Sequence, residues 1–295
     1  MIVPRAIRPG DTVAVIAPSS PFEAVLVWRG LGFLSTRYRV KFDRDLFSRT
    51  GYLAGNDARR ERELRAAIAD PSVSAILAAR GGYGASRIVH ELDWTVLRHH
   101  PKWIVGFSDI TALHVEAARV GVATLHGPHV ANLGRSDDAT RRSLVRALED
   151  PLAPRIFSKL RTVAQGEARG PLFGGNLALL HACAAAGRLA IPDGAILFIE
   201  DVSERPYRID RMLASLATGG HLRRLAGVVL GEFSSCQPGP DGVTVRAVLD
   251  ERFASLGIPV VDELPAGHGL RNEPLVLGAA VRILATSSVG EFHVG

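Results

Sequence analysis

Four short apolar runs in the first half of the chain each stop at a turn of small or functional residues. Residues 12–17 (Thr-Val-Ala-Val-Ile-Ala) stop at Pro18-Ser19-Ser20-Pro21, and 73–79 stop at Arg80-Gly81-Gly82-Tyr83-Gly84. Residues 103–107 stop at Ser108-Asp109, and 122–125 stop at His126-Gly127-Pro128. Helical spacing lies between them. Apolar residues Phe22, Val25, Leu26, Leu31 and Leu34 share one face over 22–35. Residues 57–69 form a charged amphipathic helix with Leu64, Ala67 and Ile68 inward, ended by Asp70-Pro71. Shorter helices follow at 85–92 and from Ile110 to about Val120. Strand, turn and helix in alternation predict a mostly parallel sheet with helices on both faces. Ligands bind such sheets at the carboxyl ends of the strands, so all four turns are expected on one rim.

The pattern changes at 134–168, where Arg135-Ser136-Asp137-Asp138, a helix near 139–148, Pro151 and Pro154 read as a linker. A second unit begins near Gly170. It holds helices at 175–186, 205–217 and 244–256 and strands at 195–199, 226–230 and 259–261. The last strand leads to Pro265-Ala266-Gly267-His268-Gly269. The expected fold is therefore α/β. An N-terminal parallel-sheet domain of Rossmann or flavodoxin type spans 1–135, a linker spans 136–168, and a smaller C-terminal α/β domain spans 169–295. Aromatic residues are only 6% of the 295, which favours a core of small aliphatic side chains.

The net charge of +5 is carried mostly by scattered arginines. The densest run, Arg59-Arg60-Glu61-Arg62-Glu63, interleaves acids and reads as a solvated helix face rather than a nucleic-acid footprint. A modest attraction for anionic substrates fits the charge better. Cys183 and Cys236 form no CxxC and read as buried thiols in a reducing compartment. Met1-Ile2-Val3-Pro4-Arg5 lacks a signal-peptide core, and no apolar run approaches the ~20 residues of a membrane helix. The expectation is a soluble cytoplasmic protein without nucleic-acid or membrane partners.

Several of the rim residues could carry chemistry. In Gly106-Phe107-Ser108-Asp109-Ile110, a serine sits where a strand turns sharply into a helix, with a backbone amide after it that can donate to an oxyanion. The match to GxSxG is half, since Ile110 replaces the second glycine, and a helix-capping Ser-Asp pair is the competing reading. Arg80-Gly81-Gly82-Tyr83-Gly84 can cradle an anion with backbone amides, or can be a plain tight turn. It lacks the spacing of a dinucleotide fingerprint. Glu200 ends the strand Ala195–Ile199 and could orient a histidine or simply face solvent. Asp201 and Glu204 compete with it, and Glu204 also reads as an ion-pair partner of Arg205 or Arg208. His268, between two glycines, is a candidate base. The other nine histidines are blander; His126 and His129 have chelating spacing but no third ligand stands out. Ser108, Glu200 and His268 together supply nucleophile, orienting carboxylate and base.

The chain resembles the LD-carboxypeptidase family of serine peptidases, which also includes the microcin-immunity peptidases. The resemblance runs from IAPSSP (16–21) through YLAGNDARR (52–60), ARGGYGASRI (79–88), GFSDITALH (106–114) and HGP (126–128). It continues through GGNLALL (174–180), FIEDVSERPYRIDRML (198–213), GEF (231–233) and GHG (267–269). It implies Ser108, Glu200 and His268 as the triad, with the amides of Gly82 and Asp109 as oxyanion donors. It also implies a parallel-sheet N-terminal domain carrying the serine, a smaller C-terminal domain carrying Glu and His, a homodimer, and no metal or other cofactor. The implied substrate is a murein tetrapeptide that loses its terminal D-alanine during cell-wall recycling. Apart from the resemblance, the place of Arg80 and Tyr83 in the Gly-rich turn makes them candidates to bind that small peptide, Arg80 by pairing with a carboxylate. A site assembled between two domains would leave Ser108 inert in the first domain alone. Phe107 and Val276 depart from the residues common in the family, tyrosine and proline. The microcin-immunity alternative, cleavage of a peptidyl-nucleotide amide, calls for an aromatic platform in the second domain. The three tryptophans (Trp28, Trp94 and Trp103) lie in the first half, and 234–243 offers no aromatic. A non-catalytic module that binds an anionic ligand is the alternative from another class.

Overall fold

The computed structural model describes residues 1–295. The chain divides into two compact units, Met1–Pro151 with Glu273–Val276, and Leu152–Asn272 with Leu277–Gly295.

In the first unit, β1 (Thr12–Ile16), β2 (Arg39–Lys41), β3 (Val73–Ala78), β4 (Trp103–Gly106) and β5 (Thr124–His126) lie in the order β5-β4-β3-β1-β2. Every pair among them is parallel. Their side chains are apolar on both faces, and Val13, Val15, Ile76, Leu77, Ile104 and Val105 are all buried. That is the pattern of strands covered on both sides. The connecting helices are α1 (Ala24–Ser35), α2 (Asp57–Ala69), the short α3 (Val96–His99), α4 (Thr111–Arg119), the short α5 (Val130–Leu133) and α6 (Asp138–Glu149). Asn56 caps α2 by accepting the Arg59 N–H at 2.8 Å, and Asp137 caps α6 by accepting the Thr140 N–H at 2.9 Å. Residues 85–91 form two 3-10 turns rather than one short helix.

The second unit is a closed barrel with helices. It contains β6 (Arg155–Ala164), β7 (Gly166–Asn176), α7 (Leu177–Ala185), β8 (Ile196–Val202), α8 (Pro206–Thr218), β9 (Gly227–Ser234), α9 (Val245–Ala254) and β10 (Val260–Asp262). The chain then contributes β11 (Leu275–Leu277) to the first unit's sheet, beside β5, and returns with β12 (Ala280–Ala285) and β13 (Gly290–Val294). The barrel order is β10-β6-β13-β12-β7-β8-β9. Strands β7 to β10 pair in parallel and carry the helices between them, whereas β6, β12 and β13 pair antiparallel.

The general α/β class and the parallel first sheet agree with the sequence. Closure of the second sheet into a barrel differs from the small α/β layer expected there. The helix expected near 139–148 is α6, and the segment 136–168 read as a linker also holds strand β6. Its polar strand disguises itself because most of β6 is only half-buried or exposed.

The charged run on α2 also departs from expectation. Arg59, Arg60 and Glu63 are buried, not solvated. Arg59 donates to the carbonyls of Ala17 (3.0 Å) and Ala54 (2.7 Å) and pairs with Glu63 at 2.6 Å. Glu63 in turn accepts the Ala17 N–H at 2.7 Å. Arg60 donates to the carbonyls of Pro18 and Gly84, the latter at 2.7 Å, and to Asp57. The guanidinium planes are therefore internal struts that satisfy carbonyls where β1 and the Gly-rich turn leave regular structure. Replacing Arg60 with Leu strands the Pro18 carbonyl and removes one donor each from the Gly84 carbonyl and Asp57, which keep the N–H and the guanidinium of Arg87. We expect it to cost about 3 kcal/mol of unfolding free energy in urea titration. A loss below about 1 kcal/mol would show that the strut is dispensable.

Candidate active site

The first sheet changes direction at β1, with β2 on one side of it and β3 on the other. Such a switch point opens a crevice at the carboxyl ends of the strands. Here the turns after β1 and β3 fill that rim and grip each other. The Ser20 N–H donates to the Gly81 carbonyl at 3.3 Å, and the Ser20 hydroxyl accepts the Tyr83 N–H at 3.1 Å.

Strand β4, the neighbour of β3, ends at Gly106 and delivers Ser108 to the same rim. Ser108 has φ 60°, a left-handed conformation that a serine adopts at a cost of about 1–3 kcal/mol. Residues 108–110 form one 3-10 turn before α4, and neither helix start has a side-chain cap. The competing role for Ser108, helix capping, is therefore not the one it plays. Asp109 is fully buried and points elsewhere, accepting the Ala85 N–H at 2.8 Å. Burial pushes its carboxyl above the usual aspartate range. The bond ties the serine turn to the Gly-rich turn. Gly81 closes the gap: a Cβ there would come within 2.9 Å of the His129 ring and 3.0 Å of the Ser108 Cβ. Gly82 follows with φ 107°, and its N–H has no protein acceptor.

Two buried histidines hold this corner from behind. His114 Nε2 donates to the Gly106 carbonyl at 2.9 Å, and His129 Nε2 lies 2.9 Å from the Phe107 carbonyl. The His129 ring stacks on Phe107 with centroids 4.3 Å apart. His114 is the satisfied core histidine its helix suggests. The chelating spacing of His126 and His129 does not indicate this role, and the one sequence signal for it is the place of His129 in an apolar strand-to-helix turn. Arg80 and Tyr83 stand exposed beside the turn. Arg80 donates to the Pro21 carbonyl at 2.5 Å, and the Tyr83 ring lies 5.8 Å from that of Tyr52.

Glu200 and His268 belong to the second unit, where the structure brings them together. Glu200, in β8, is fully buried, and its Oε2 is 2.6 Å from His268 Nδ1. A carboxylate oxygen accepts, so Nδ1 is the donor and the lone pair of the neutral ring falls on Nε2. The loop carrying His268 is stitched to β9. Leu264 N–H donates to the Leu230 carbonyl at 3.1 Å, and Glu232 N–H donates to the Ala266 carbonyl at 2.9 Å. Asn272 accepts the Gly267 N–H at 3.1 Å.

The rival acids are engaged elsewhere. Asp201 accepts from the Asn176 side chain and the Ala178 N–H, both at 3.0 Å, and burial pushes its carboxyl up to about 6. Glu204 lies 3.6 Å from Arg208, the ion pair its spacing suggested. Both cysteines are free and buried. No three His, Cys, Asp or Glu side chains are grouped as metal ligands, and no helix is long and apolar enough to cross a membrane.

Comparison with known proteins places both units. Residues 13–127 match the family model described as LD-carboxypeptidase N-terminal domain, and residues 169–283 match that described as LD-carboxypeptidase C-terminal domain. The probable murein peptide carboxypeptidase of Bacillus subtilis is 36% identical, over 99% of this chain and 94% of that protein. The murein tetrapeptide carboxypeptidase of Pseudomonas aeruginosa is 34% identical, over 88% of this chain and 89% of that protein. The crystal structure of muramoyltetrapeptide carboxypeptidase from Oxalobacter formigenes superposes with a TM-score of 0.86 at 29% identity, covering 96% of this chain and 98% of that one.

The His114 strut carries a pH dependence. Burial lowers its imidazole from 6.5 to about 4. The unfolded chain therefore binds a proton that the native ring refuses, and stability is lost as pH falls from about 6.5 to about 4. His114→Gln keeps a donor but does not titrate. We expect it to flatten the stability slope in that window by about 1 kcal/mol per pH unit, read from denaturant midpoints. An unchanged slope would contradict the buried neutral ring.

Proposed function

Because this chain belongs to the LD-carboxypeptidase family of peptidases, we propose that it is a serine carboxypeptidase that removes the terminal D-alanine of a murein tetrapeptide by hydrolysing the bond between an L-centre and that residue. The observation that carries the chemistry is Ser108, held at φ 60° on the ligand-binding rim with its hydroxyl unused by any helix cap.

In this reading Ser108 is the nucleophile and the Glu200–His268 pair is its base. His268 Nε2 takes the Ser108 proton as Oγ attacks the scissile carbonyl carbon. Glu200 fixes the tautomer through Nδ1 and stabilises the imidazolium that forms. The amides of Gly82 and Asp109 donate to the oxyanion. The imidazolium then protonates the leaving amine, and D-alanine departs. Water, deprotonated by the same imidazole, attacks the Ser108 ester and regenerates the serine. The released residue carries a free carboxylate, and Arg80 on the rim offers a cation for it. The family names and the two relatives named for murein peptides support this substrate class.

The test is mass spectrometry of murein tetrapeptide incubated with the protein. The expected product has lost one alanine. Ser108→Ala and His268→Ala should lower kcat/KM by about 10⁴-fold or more, with weak residual catalysis at most. Arg80→Ala should raise KM about tenfold with a smaller effect on kcat, as the loss of one charged contact implies. An intact tetrapeptide together with cleavage of an aminoacyl-nucleotide amide would overturn the substrate assignment.

A further inference from the structure

The base pair has a neighbour that the triad does not use. Glu232 stands near the end of β9, beside β8, and its backbone N–H already holds the histidine loop at Ala266. Its side chain turns back toward the same loop. A methyl group added at Gly269 would fall inside the Glu232 carboxyl group. Position 269 is glycine because that carboxyl occupies the space a side chain would need. One face of the Gly267-His268-Gly269 segment thus meets Glu200 and another meets Glu232.

No cation neutralises this acid. Its only hydrogen-bond partner is the Ser234 hydroxyl, at 3.5 Å. The other carboxylates nearby are paired or turned away. Asp262 binds Arg161 at 2.7 Å, Glu263 binds Arg246 at 2.5 Å, and Asp201 faces Asn176. Within the second unit, the ionisable groups around His268 are Glu200 from β8, Glu232 from β9, and Arg271, the one cation of the histidine loop, which is exposed. Partial burial and the Glu200 charge push the Glu232 carboxyl above the usual glutamate range, against the pull of the Ser234 hydrogen bond. Packed against Gly269, that carboxyl stands beside the residue that follows His268 in the loop.

We propose that Glu232 is a positioning residue for the base: a second carboxylate, packed against Gly269, that works with Glu200 to favour the imidazolium form of His268. Glu200 reaches Nδ1 directly and sets the tautomer. Glu232 contributes charge without a hydrogen bond to the ring. Its effect is on how readily His268 accepts and keeps the Ser108 proton. The inference rests on His268 acting as the base, and its test reads the imidazole directly so that the two can fail separately.

The test titrates the His268 imidazole by NMR in the full chain and in Glu232→Gln, with His268→Gln to assign the signal among ten histidines. Removing the charge should move the His268 titration to lower pH by about half to one pH unit, the size expected of an opposite charge that is only partly desolvated. The acid limb of kcat/KM for murein tetrapeptide should move in the same direction. Glu232→Asp draws the carboxylate back by one methylene and should give a smaller shift of the same sign, which keeps the test alive if Glu232→Gln does not fold. An imidazole titration unchanged in the variants, or moved upward, overturns the proposal even if activity falls. A shifted imidazole in a protein that does not cleave tetrapeptide would leave Glu232's role standing and remove the peptidase reading.

Discussion

A serine in the left-handed region is a local expense that the surrounding structure has to offset, and three buried polar side chains, Asp109, His114 and His129, hold the turn that carries it. Ser108 at φ 60° cannot hold that conformation by its own preference. The Asp109 carboxylate pins the turn to Ala85, Gly81 brings the neighbouring turn against it, and His114 and His129 anchor the carbonyls of Gly106 and Phe107. The arginine struts of α2 then fix the two turns that border it. The result is a hydroxyl presented on the rim with its geometry set before any ligand arrives, which is the condition under which electrostatic catalysis costs no reorganisation.

The second unit solves a different problem. A buried carboxylate needs donors or a cation, and the role proposed for His268 needs a fixed tautomer. β8 supplies the acid from inside the barrel wall, and the loop after β10 brings the imidazole to it at 2.6 Å. The parallel run from β7 to β10 places successive strand ends side by side. Asn176, Glu200, Glu232 and the histidine loop therefore meet at one end of that wall. The antiparallel strands β6, β12 and β13 close the barrel, so no open edge remains.

Much of this was legible in the sequence where the signal is local. The buried parallel strands announce themselves as apolar runs, and their terminal turns mark the rim, so Ser108 and the Gly-rich turn were found from spacing. Glu200 and His268 were candidates by position, and the resemblance to a known family joined them. The rest depends on contacts far apart in sequence. β6 reads Arg-Ile-Phe-Ser-Lys-Leu-Arg-Thr-Val-Ala and buries little of itself, and its partners β10 and β13 follow it only after about a hundred residues or more. No periodicity could show that it closes a barrel. Arg59 and Arg60 looked solvated because charge spacing on a helix cannot reveal which face meets unpaired carbonyls. His129 gave no signal beyond its neighbours. Glu232 lies in the Gly231-Glu232-Phe233 segment, yet its carboxyl group's contact with Gly269 is visible only once the loop is folded over β9.

The proposed function requires Ser108 to be a reactive nucleophile served by the Glu200–His268 pair. Fluorophosphonate labelling followed by peptide mapping measures this directly, without choosing a substrate. The folded full-length protein should carry one adduct, on Ser108. Labelling should vanish in Ser108→Ala and slow by about 10²-fold or more in Glu200→Gln, where the serine remains but the base is misoriented. Folded wild-type protein that stays unlabelled, or Ser108→Ala that labels as well as wild type, would contradict it.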